Sequence, residues 1–330
     1  MSGADASGGP GPGTPVRTTH TIRASAPAQT VYGLLAAAGN WPAVFEPTVF
    51  VDPLEHGPVA GGVTFERFRL WATVNGQVVS WSSRRELDPG SRLITFRQEH
   101  STPPIASMSG SWHVEERGAE ASDVTLVHEF TTVDGSEQSA RWITAALDRN
   151  STAELGQLAR LAALDAAHEA GGALVDSFED VFDIDAPPAA VYEFLDRGDL
   201  WHERLPHVEE SVLTISEDGA QHLALTTVTP DGDRHHTAST RIRVDASRLA
   251  YKQEKTPEIL LGHAGLWTIA PLDGGARTRA TSRHTFTLRP DALERVLGAG
   301  TTVAAARAHM REALGANSRA TLEHAAKFAS

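Results

Sequence analysis

From residue 74 to 86 the chain alternates: Trp81, Ser83 and Arg85 share one parity, and Ser80, Ser82, Arg84 and Glu86 share the other. Successive strand side chains point to opposite faces of a sheet, so the uniformly polar set reads as the solvent face and the first set as the inner face. Similar short runs centre on 18–25, 49–55, 62–70, 92–99, 106–116 and 122–133, punctuated by turn signals such as Gly57-Pro58 and Asp88-Pro89-Gly90. The period then changes. Between Glu137 and Ala170, Trp142, Leu147, Leu155, Leu158, Leu161 and Leu164 recur among alanines and charges, which predicts one long amphipathic helix.

The same order of elements is written a second time. Ala26-Pro27, Val31-Tyr32 and Asn40-Trp41 are matched by Ala186-Pro187, Val191-Tyr192 and Leu200-Trp201. Further on, Gln98-Glu99 returns as Gln253-Glu254, Gly110-Ser111-Trp112 as Gly265-Leu266-Trp267, His128-Glu129-Phe130 as His284-Thr285-Phe286, and Asn150-Ser151 as Asn317-Ser318. Order is kept while the spacing drifts, as expected of a duplication whose length changes fall in loops. The counterpart of the long helix is Pro290 to Phe328, with proline suited to a helix start.

Strands in succession closed by one long helix predict an α+β fold of two tandem domains. Each is a curved antiparallel sheet wrapped around a long C-terminal helix, with an interior cavity between them. The expected divisions are a disordered tail over 1–15, rich in Gly, Pro, Ser, Ala and Asp, an N-terminal domain over 16–172 and a C-terminal domain over 173–330, with the linker near Ala170 to Asp176.

Composition narrows the function. A length of 330 residues suits two cores better than one, and 41% hydrophobic with 22% charged residues is an ordinary globular balance. A net charge of −13 argues against nucleic acid or an anionic membrane as partner. No apolar run is long enough to span a bilayer, and the N-terminus lacks a secretory pattern, so a cytoplasmic location is expected. With no cysteine, disulfides and thiolate chemistry drop out. Zinc-protease, dinucleotide and Gly-x-Ser-x-Gly signatures are absent as well, and His235 and His236, adjacent in a strand, point to opposite faces. The expectation is no metal and no cofactor, which leaves cofactor-free chemistry or ligand binding.

Strand parity nominates the interior. In the first copy it collects Trp81, Ser83 and Arg85, then Phe96 and Gln98, then Met108 and Trp112, then His128; in the second, His235, Ser239 and Arg241, then Tyr251 and Gln253, then His263 and Trp267, then His284. Trp41 and Trp201 fall near a helix entrance, where they line the pocket or fill the core. A guanidinium at Arg85 either serves that pocket or pairs with a buried carboxylate for structural reasons. A histidine on an apolar strand is equally open to a core or a chemical role.

These residues resemble a known family. Asn40-Trp41-Pro42, Trp81-x-Ser83-x-Arg85 ahead of Asp88-Pro89-Gly90-Ser91-Arg92, and the strand at Trp112 are similar to the polyketide aromatase/cyclases of bacterial type II systems, which belong to the Bet v 1-like, or START-like, helix-grip superfamily. Two copies from about residue 18 onward resemble the di-domain subclass. The resemblance implies two helix-grip domains and a cofactor-independent enzyme. The implied reaction is first-ring aldol closure between carbon seven and carbon twelve of an acyl-carrier-protein-bound poly-β-ketone, dehydrative aromatisation, or both.

It further implies catalytic roles for Arg85, Ser83, His128, Arg241 and Ser239, to which strand parity and the repeat add His235 and His284. Substrate-binding walls would come from Trp41, Trp81, Phe96, Gln98, Met108, Trp112, Trp201, Tyr251, Gln253, His263 and Trp267. Implied partners are the acyl carrier protein, with ketosynthase/chain-length factor and ketoreductase beside it. Thr48 stands where single-domain members carry a pocket tyrosine, which moves weight onto His128. A fixed cation can stabilise an oxyanion and a neutral imidazole can move a proton, so the chemistry suits the residues.

The second copy replaces Trp81 by Thr237 and Met108 by His263. It is therefore expected to be more polar and to serve dehydration, with ring closure in the first. Whether the chain acted on is nonreduced or reduced at carbon nine stays open. The competing reading is a noncatalytic carrier or receptor for a hydrophobic ligand.

Overall fold

A computed structural model describes residues 13–74, 76–168, 172–228 and 232–329. Most of the tail expected at 1–15, and residues 170 and 171 of the expected linker, lie outside the described residues. The first copy runs β1 (Val16–Ala24), α1 (Ala28–Ala36), α2 (Trp41–Val44), β2 (Thr48–Pro58), β3 (Thr64–Val74), β4 (Gln77–Asp88), β5 (Leu93–Gln98), β6 (Ile105–Glu116), β7 (Ser122–Thr132) and α3 (Glu137–Ala167). The second runs β8 (Val175–Ile184), α4 (Pro188–Asp196), α5 (Trp201–Arg204), β9 (Val208–Ile215), β10 (Gln221–Val228), β11 (Arg234–Asp245), β12 (Arg248–Lys255), β13 (Leu260–Leu272), β14 (Arg277–Leu288), α6 (Leu293–Leu297) and α7 (Val303–Ala329).

Each copy builds a seven-stranded antiparallel sheet with one plan. The orders are β1-β7-β6-β5-β4-β3-β2 and β8-β14-β13-β12-β11-β10-β9, so the first strand of each copy pairs with its last. This is the expected architecture, and it follows from local pattern. β1 alternates, with Val16, Thr18, His20 and Ile22 turned inward and Arg17, Thr19, Thr21 and Arg23 outward. α3 buries Ile143, Ser151, Leu155, Leu158 and Leu161 on one stripe. Ser136 Oγ accepts the Ser139 N–H at 3.1 Å just ahead of α3, and Thr302 Oγ1 accepts the Ala305 N–H at 3.2 Å just ahead of α7, each satisfying a first-turn donor.

One expectation is corrected. Pro290 to Phe328 is not a single helix, because α6 ends at Gly298 with φ 102° and Gly300 has φ 78° before α7 begins. Glycine adopts this left-handed backbone without the steric cost of a Cβ, and it breaks the helical hydrogen-bond ladder.

By packing, the chain divides into two compact units. One comprises the chain up to Ala38, Val51–Leu70 and Ser80–Ala167; the other comprises Gly39–Phe50, Trp71–Val79 and the chain from His168 onward. Within the latter, Lys252 Nζ donates to the carbonyls of Phe45 (2.7 Å), Glu46 (2.6 Å) and Thr48 (2.9 Å), and Thr287 Oγ1 donates to that of Ala43 at 2.8 Å. Its core gathers Val191, Phe194, Leu195, Leu249, Trp267, Ile269 and Leu322. Each such side chain contributes roughly 1.5–3 kcal/mol on burial. No described helix is long and apolar enough to cross a membrane.

Candidate functional site

The two parity-nominated arginines are buried and occupy matching places. Arg85 donates through Nε to Glu66, through Nη1 to the Leu35 carbonyl at 2.8 Å and through Nη2 to the Ala36 carbonyl. Arg241 donates through Nη2 to the Leu195 carbonyl, with its guanidinium 5.5 Å from the Trp201 ring centre. The acceptors are the last carbonyls of α1 and α4, which no intrahelical N–H satisfies and where the helix dipole favours a cation. Gly198 makes room, since a Cβ there would collide with Arg241 Nη1. The carboxylate partner weighed for Arg85 from the sequence is therefore present, as Glu66. Burial lowers the pKa of both guanidinium groups, Arg241 to about 10, so that Arg241 stays charged near neutrality.

A second constellation lies on the concave face of the second sheet. Tyr251 OH is 3.0 Å from His284 Nδ1, and His263 Nε2 is 3.1 Å from the same nitrogen. His284 Nε2 lies 2.7 Å from Ser318 Oγ of α7 and 3.1 Å from Ser282 Oγ, and the two hydroxyls are 3.0 Å apart. The imidazoles of His263 and His284 stack at 5.4 Å, and Phe178 stacks on the other side of His284 at 5.1 Å. Register makes this possible: Tyr251, Gly265 and His284 are successive partners across β12, β13 and β14. A Cβ on Gly265 would occupy the place of the Tyr251 ring, so only glycine lets tyrosine reach over one strand to the next. Burial lowers the pKa of His263 to about 3, with His284 adding to the shift, and that of His284 to about 4; both rings are neutral near pH 7.

The first sheet repeats the frame with different contents. Phe96, Gly110 and His128 are the successive partners, and Phe96 passes over Gly110 to meet His128 edge-on at 5.5 Å. No hydroxyl replaces the tyrosine's. His128 Nδ1 is buried without a hydrogen-bond partner, as are Ser151 Oγ of α3 and Thr18 Oγ1 beside His128 on β1. Burial, with a smaller effect of His20, lowers the pKa of His128 to about 4. Glu154 stands one helical turn from Ser151 and from Leu158 on the same face of α3, and burial raises its carboxyl to about 7.

The remaining nominated residues are distributed as follows. Ser83 is buried and donates to the Arg97 carbonyl at 3.2 Å; Gln98 accepts from Ser101 at 3.1 Å; Trp81 and Ser239 are half-buried. Met108 packs with Phe130 and Ile143, and Trp112 is buried. Gln253 Oε1 is buried without a partner. Trp267 belongs to the apolar core of its unit, and Trp201 packs against that core with its Nε1 donating to the Phe194 carbonyl at 3.0 Å. Trp41 sits in α2, 5.7 Å edge-on from Phe45, in the second unit and not the first.

His235 departs from expectation. It shares the inner parity of β11 but lies one residue from the strand's start, exposed, and is not part of the buried cluster. Ser282, Ser318, Phe178, Ser151, Glu66 and Glu154 escaped the sequence reading. The signal for two of them was present, since a serine recurs at Ser151 and Ser318 on helix faces otherwise apolar. Among the described residues, no group of three or more His, Asp or Glu side chains is placed to hold a metal ion.

Comparison with known proteins agrees with this geometry. The family profile described as polyketide cyclase/dehydrase and lipid transport matches twice, over residues 15–163 and 176–327. The actinorhodin polyketide synthase bifunctional cyclase/dehydratase of Streptomyces coelicolor is 46% identical over 323 residues, covering 95% of this chain and 96% of that protein. The granaticin polyketide synthase bifunctional cyclase/dehydratase of Streptomyces violaceoruber is 43% identical over 314 residues, covering 95% and 94%. Among solved structures, the di-domain ARO/CYC BexL from the BE-7585A biosynthetic pathway superposes with a TM-score of 0.78 at 42% identity, covering 96% of this chain and 99% of that one. The di-domain ARO/CYC StfQ from the steffimycin pathway gives 0.76 at 30% identity, covering 94% and 98%.

Proposed function

The chain belongs to the polyketide cyclase/dehydrase and lipid transport family, and on that premise we propose that it is a polyketide cyclase/dehydratase acting in the cytoplasm on an acyl-carrier-protein-bound poly-β-ketone. It closes the first ring between carbon seven and carbon twelve and dehydrates the product towards an aromatic ring. The observation that most supports this reading is the matched pair of neutral imidazoles, half-buried His128 and buried His284, each on the last strand of its sheet and facing the interior. A neutral imidazole in a dry interior can take or give a proton, which aldol closure and loss of water both require. The apolar surroundings of His128, with Phe96 and Met108, suit holding one folded conformer of a reactive chain. The hydrogen-bonded surroundings of His284 suit proton movement during dehydration.

In this division Arg85 and Arg241 are positioning residues that fix the short helices against the sheets. The test is reconstitution with the ketosynthase pair, acyl carrier protein and ketoreductase, read by product profile. His128→Leu is expected to yield aberrantly cyclised shunt products, and His284→Leu a cyclised, non-aromatic product. An unchanged aromatic product from both variants overturns the imidazole roles, and the same product in a reaction lacking the protein overturns the enzymatic reading and leaves a ligand carrier.

A further inference from the structure

We propose that Lys252 and Thr287, both on the second sheet, are positioning residues for ring closure by the first copy: they hold α2 of the first copy, and with it Trp41, in place. The inference rests on the cyclase/dehydratase reading and adds to it two side chains that act through α2.

Parity puts these residues on the convex side. Along β12, Tyr251 and Gln253 share the concave face, so half-buried Lys252 points the other way. There its Nζ donates to the carbonyls of Phe45 at 2.7 Å, Glu46 at 2.6 Å and Thr48 at 2.9 Å, which commits all three N–H groups of an ammonium. Gly262 of β13 and Thr287 of β14 are direct partners on the same face. Thr287 Oγ1 donates to the Ala43 carbonyl at 2.8 Å, and a Cβ on Gly262 would collide with that carbonyl. The segment 43–48 is thus received by three strands. Beside it, Val49, Phe50, Trp71 and Val78 pack on Ala220, Ile242 and Ala250, and Asp218 Oδ2 accepts the Val78 N–H at 2.6 Å.

Segment and face are matched in the sequence. Trp41-Pro42-Ala43-Val44-Phe45 carries no charge, whereas the second copy has Trp201-His202-Glu203-Arg204-Leu205 at the same place. Ala250 is fully buried on the second sheet, where the first sheet exposes Thr95, and Lys252 is replaced there by exposed Arg97. The apolar segment and the apolar face that receives it therefore belong to different copies.

The stretch 37–44 is held at both ends. Arg85 of β4 takes the carbonyls of Leu35 and Ala36, and Lys252 of β12 takes those of Phe45, Glu46 and Thr48. Trp41 lies between the two cations. A shift of about 1 Å in a group that orients a substrate can cost about a hundredfold in rate, even when the altered residue is remote from the reacting atoms.

The test is backbone hydrogen exchange of the full-length protein, read alongside the reconstituted product profile. Lys252→Met keeps the length of the side chain and removes its donors. The Phe45, Thr48 and Thr73 amides, which bond the Trp41, Phe45 and Pro47 carbonyls, are expected to exchange roughly tenfold faster. The Ile269 amide, bonded to Ser247 within the second sheet, should keep its wild-type rate. Thr287→Val should speed the same three amides roughly threefold, the worth of one hydrogen bond. In reconstitution, K252M should raise the share of aberrantly cyclised products, while the fraction of correctly closed rings that become aromatic stays at the wild-type value. A lesion that merely weakened the second copy would lower that fraction.

Unchanged exchange of the three amides in both variants, an equal rise at Ile269, or a wild-type product profile despite faster exchange each overturns the proposal. If K252M does not fold, T287V carries both readouts. A wild-type protein that makes no aromatic product refutes the enzymatic reading, and exchange, which needs no turnover, still decides whether these residues hold α2.

Discussion

The interiors of the two sheets are one frame furnished twice. Each sets an aromatic ring, a glycine and a histidine on three neighbouring strands, with a serine reaching in from the long helix. Phe96, Met108 and Leu126 in the first become Tyr251, His263 and Ser282 in the second. Three side chains thus convert a lone imidazole with an unpaired nitrogen into a five-membered polar network, with no change in backbone plan. Duplicated scaffolds diverge cheaply this way, because strand pairing fixes which positions face inward and leaves their chemistry free.

The comparison can be broken most forcefully at the arginines, which share a place but not a set of partners. Arg85→Ala strands Glu66 and two helix-end carbonyls, and should cost about 3–5 kcal/mol, the usual loss when one member of a buried ion pair is removed. Arg241→Ala frees one carbonyl and should cost about 1–3 kcal/mol. Urea midpoints of the two variants measure the gap; equal losses would mean that Glu66 adds nothing.

Acid should separate the units next. His263, His284 and His128 have folded pKa values below the unfolded value of about 6.5, so the unfolded chain binds more protons and stability is lost as pH falls from about 6.5 towards 4 and, for His263, 3. Glu154 runs the other way. Its folded pKa of about 7 lies above the ordinary carboxyl value, so its contribution is present at low pH and is lost as pH rises towards 7. Glu154→Gln should match the wild-type midpoint near pH 4.5 and exceed it increasingly up to pH 7, by no more than about 3 kcal/mol. His263→Met should flatten the acid limb. Unfolding midpoints between pH 4 and 8 read both, and a Glu154→Gln difference independent of pH would place that carboxyl in water.

The smallest effect sharpens the contrast at a single oxygen. Tyr251→Phe copies the first unit and should cost about 1 kcal/mol. A double-mutant cycle with His284→Phe should return a coupling of that order. Phe96→Tyr, the reverse change, directs a hydroxyl over Gly110 at His128 and should leave stability within about 1 kcal/mol of wild type, because the new donor meets a nitrogen that lacks one.

Strand number, parity and the duplication were legible in the sequence because they rest on local periodicity: Ser83, Arg85, Met108 and Trp112 lie on the buried face that alternation assigned. The arginine contacts were not legible, since a strand residue reaches the end of a helix some fifty positions away only after folding. Ser282 reads as an unremarkable serine until β14 and α7 bring it to Ser318. Glu154 was hidden among the charges of α3, although its spacing from Leu147 and Leu158 puts it on the apolar stripe. His235 shows the limit of parity, which gives the face of a strand but not the depth along it.

The pairing of β1 with β7 has a consequence for how the protein comes to be. Val16 meets Phe130, so the first strand leaves the ribosome long before β7, its one partner strand among the described residues, and waits unpaired through most of the synthesis of its sheet. β8, its copy, bonds β14 in the same way. During translation β7 emerges before β8 exists and can find only β1. A full-length chain released from denaturant offers β7 both candidates at once, and mispairing between copies becomes a competing outcome. The chain is thus expected to reach its native state in higher yield when translated than when refolded from urea.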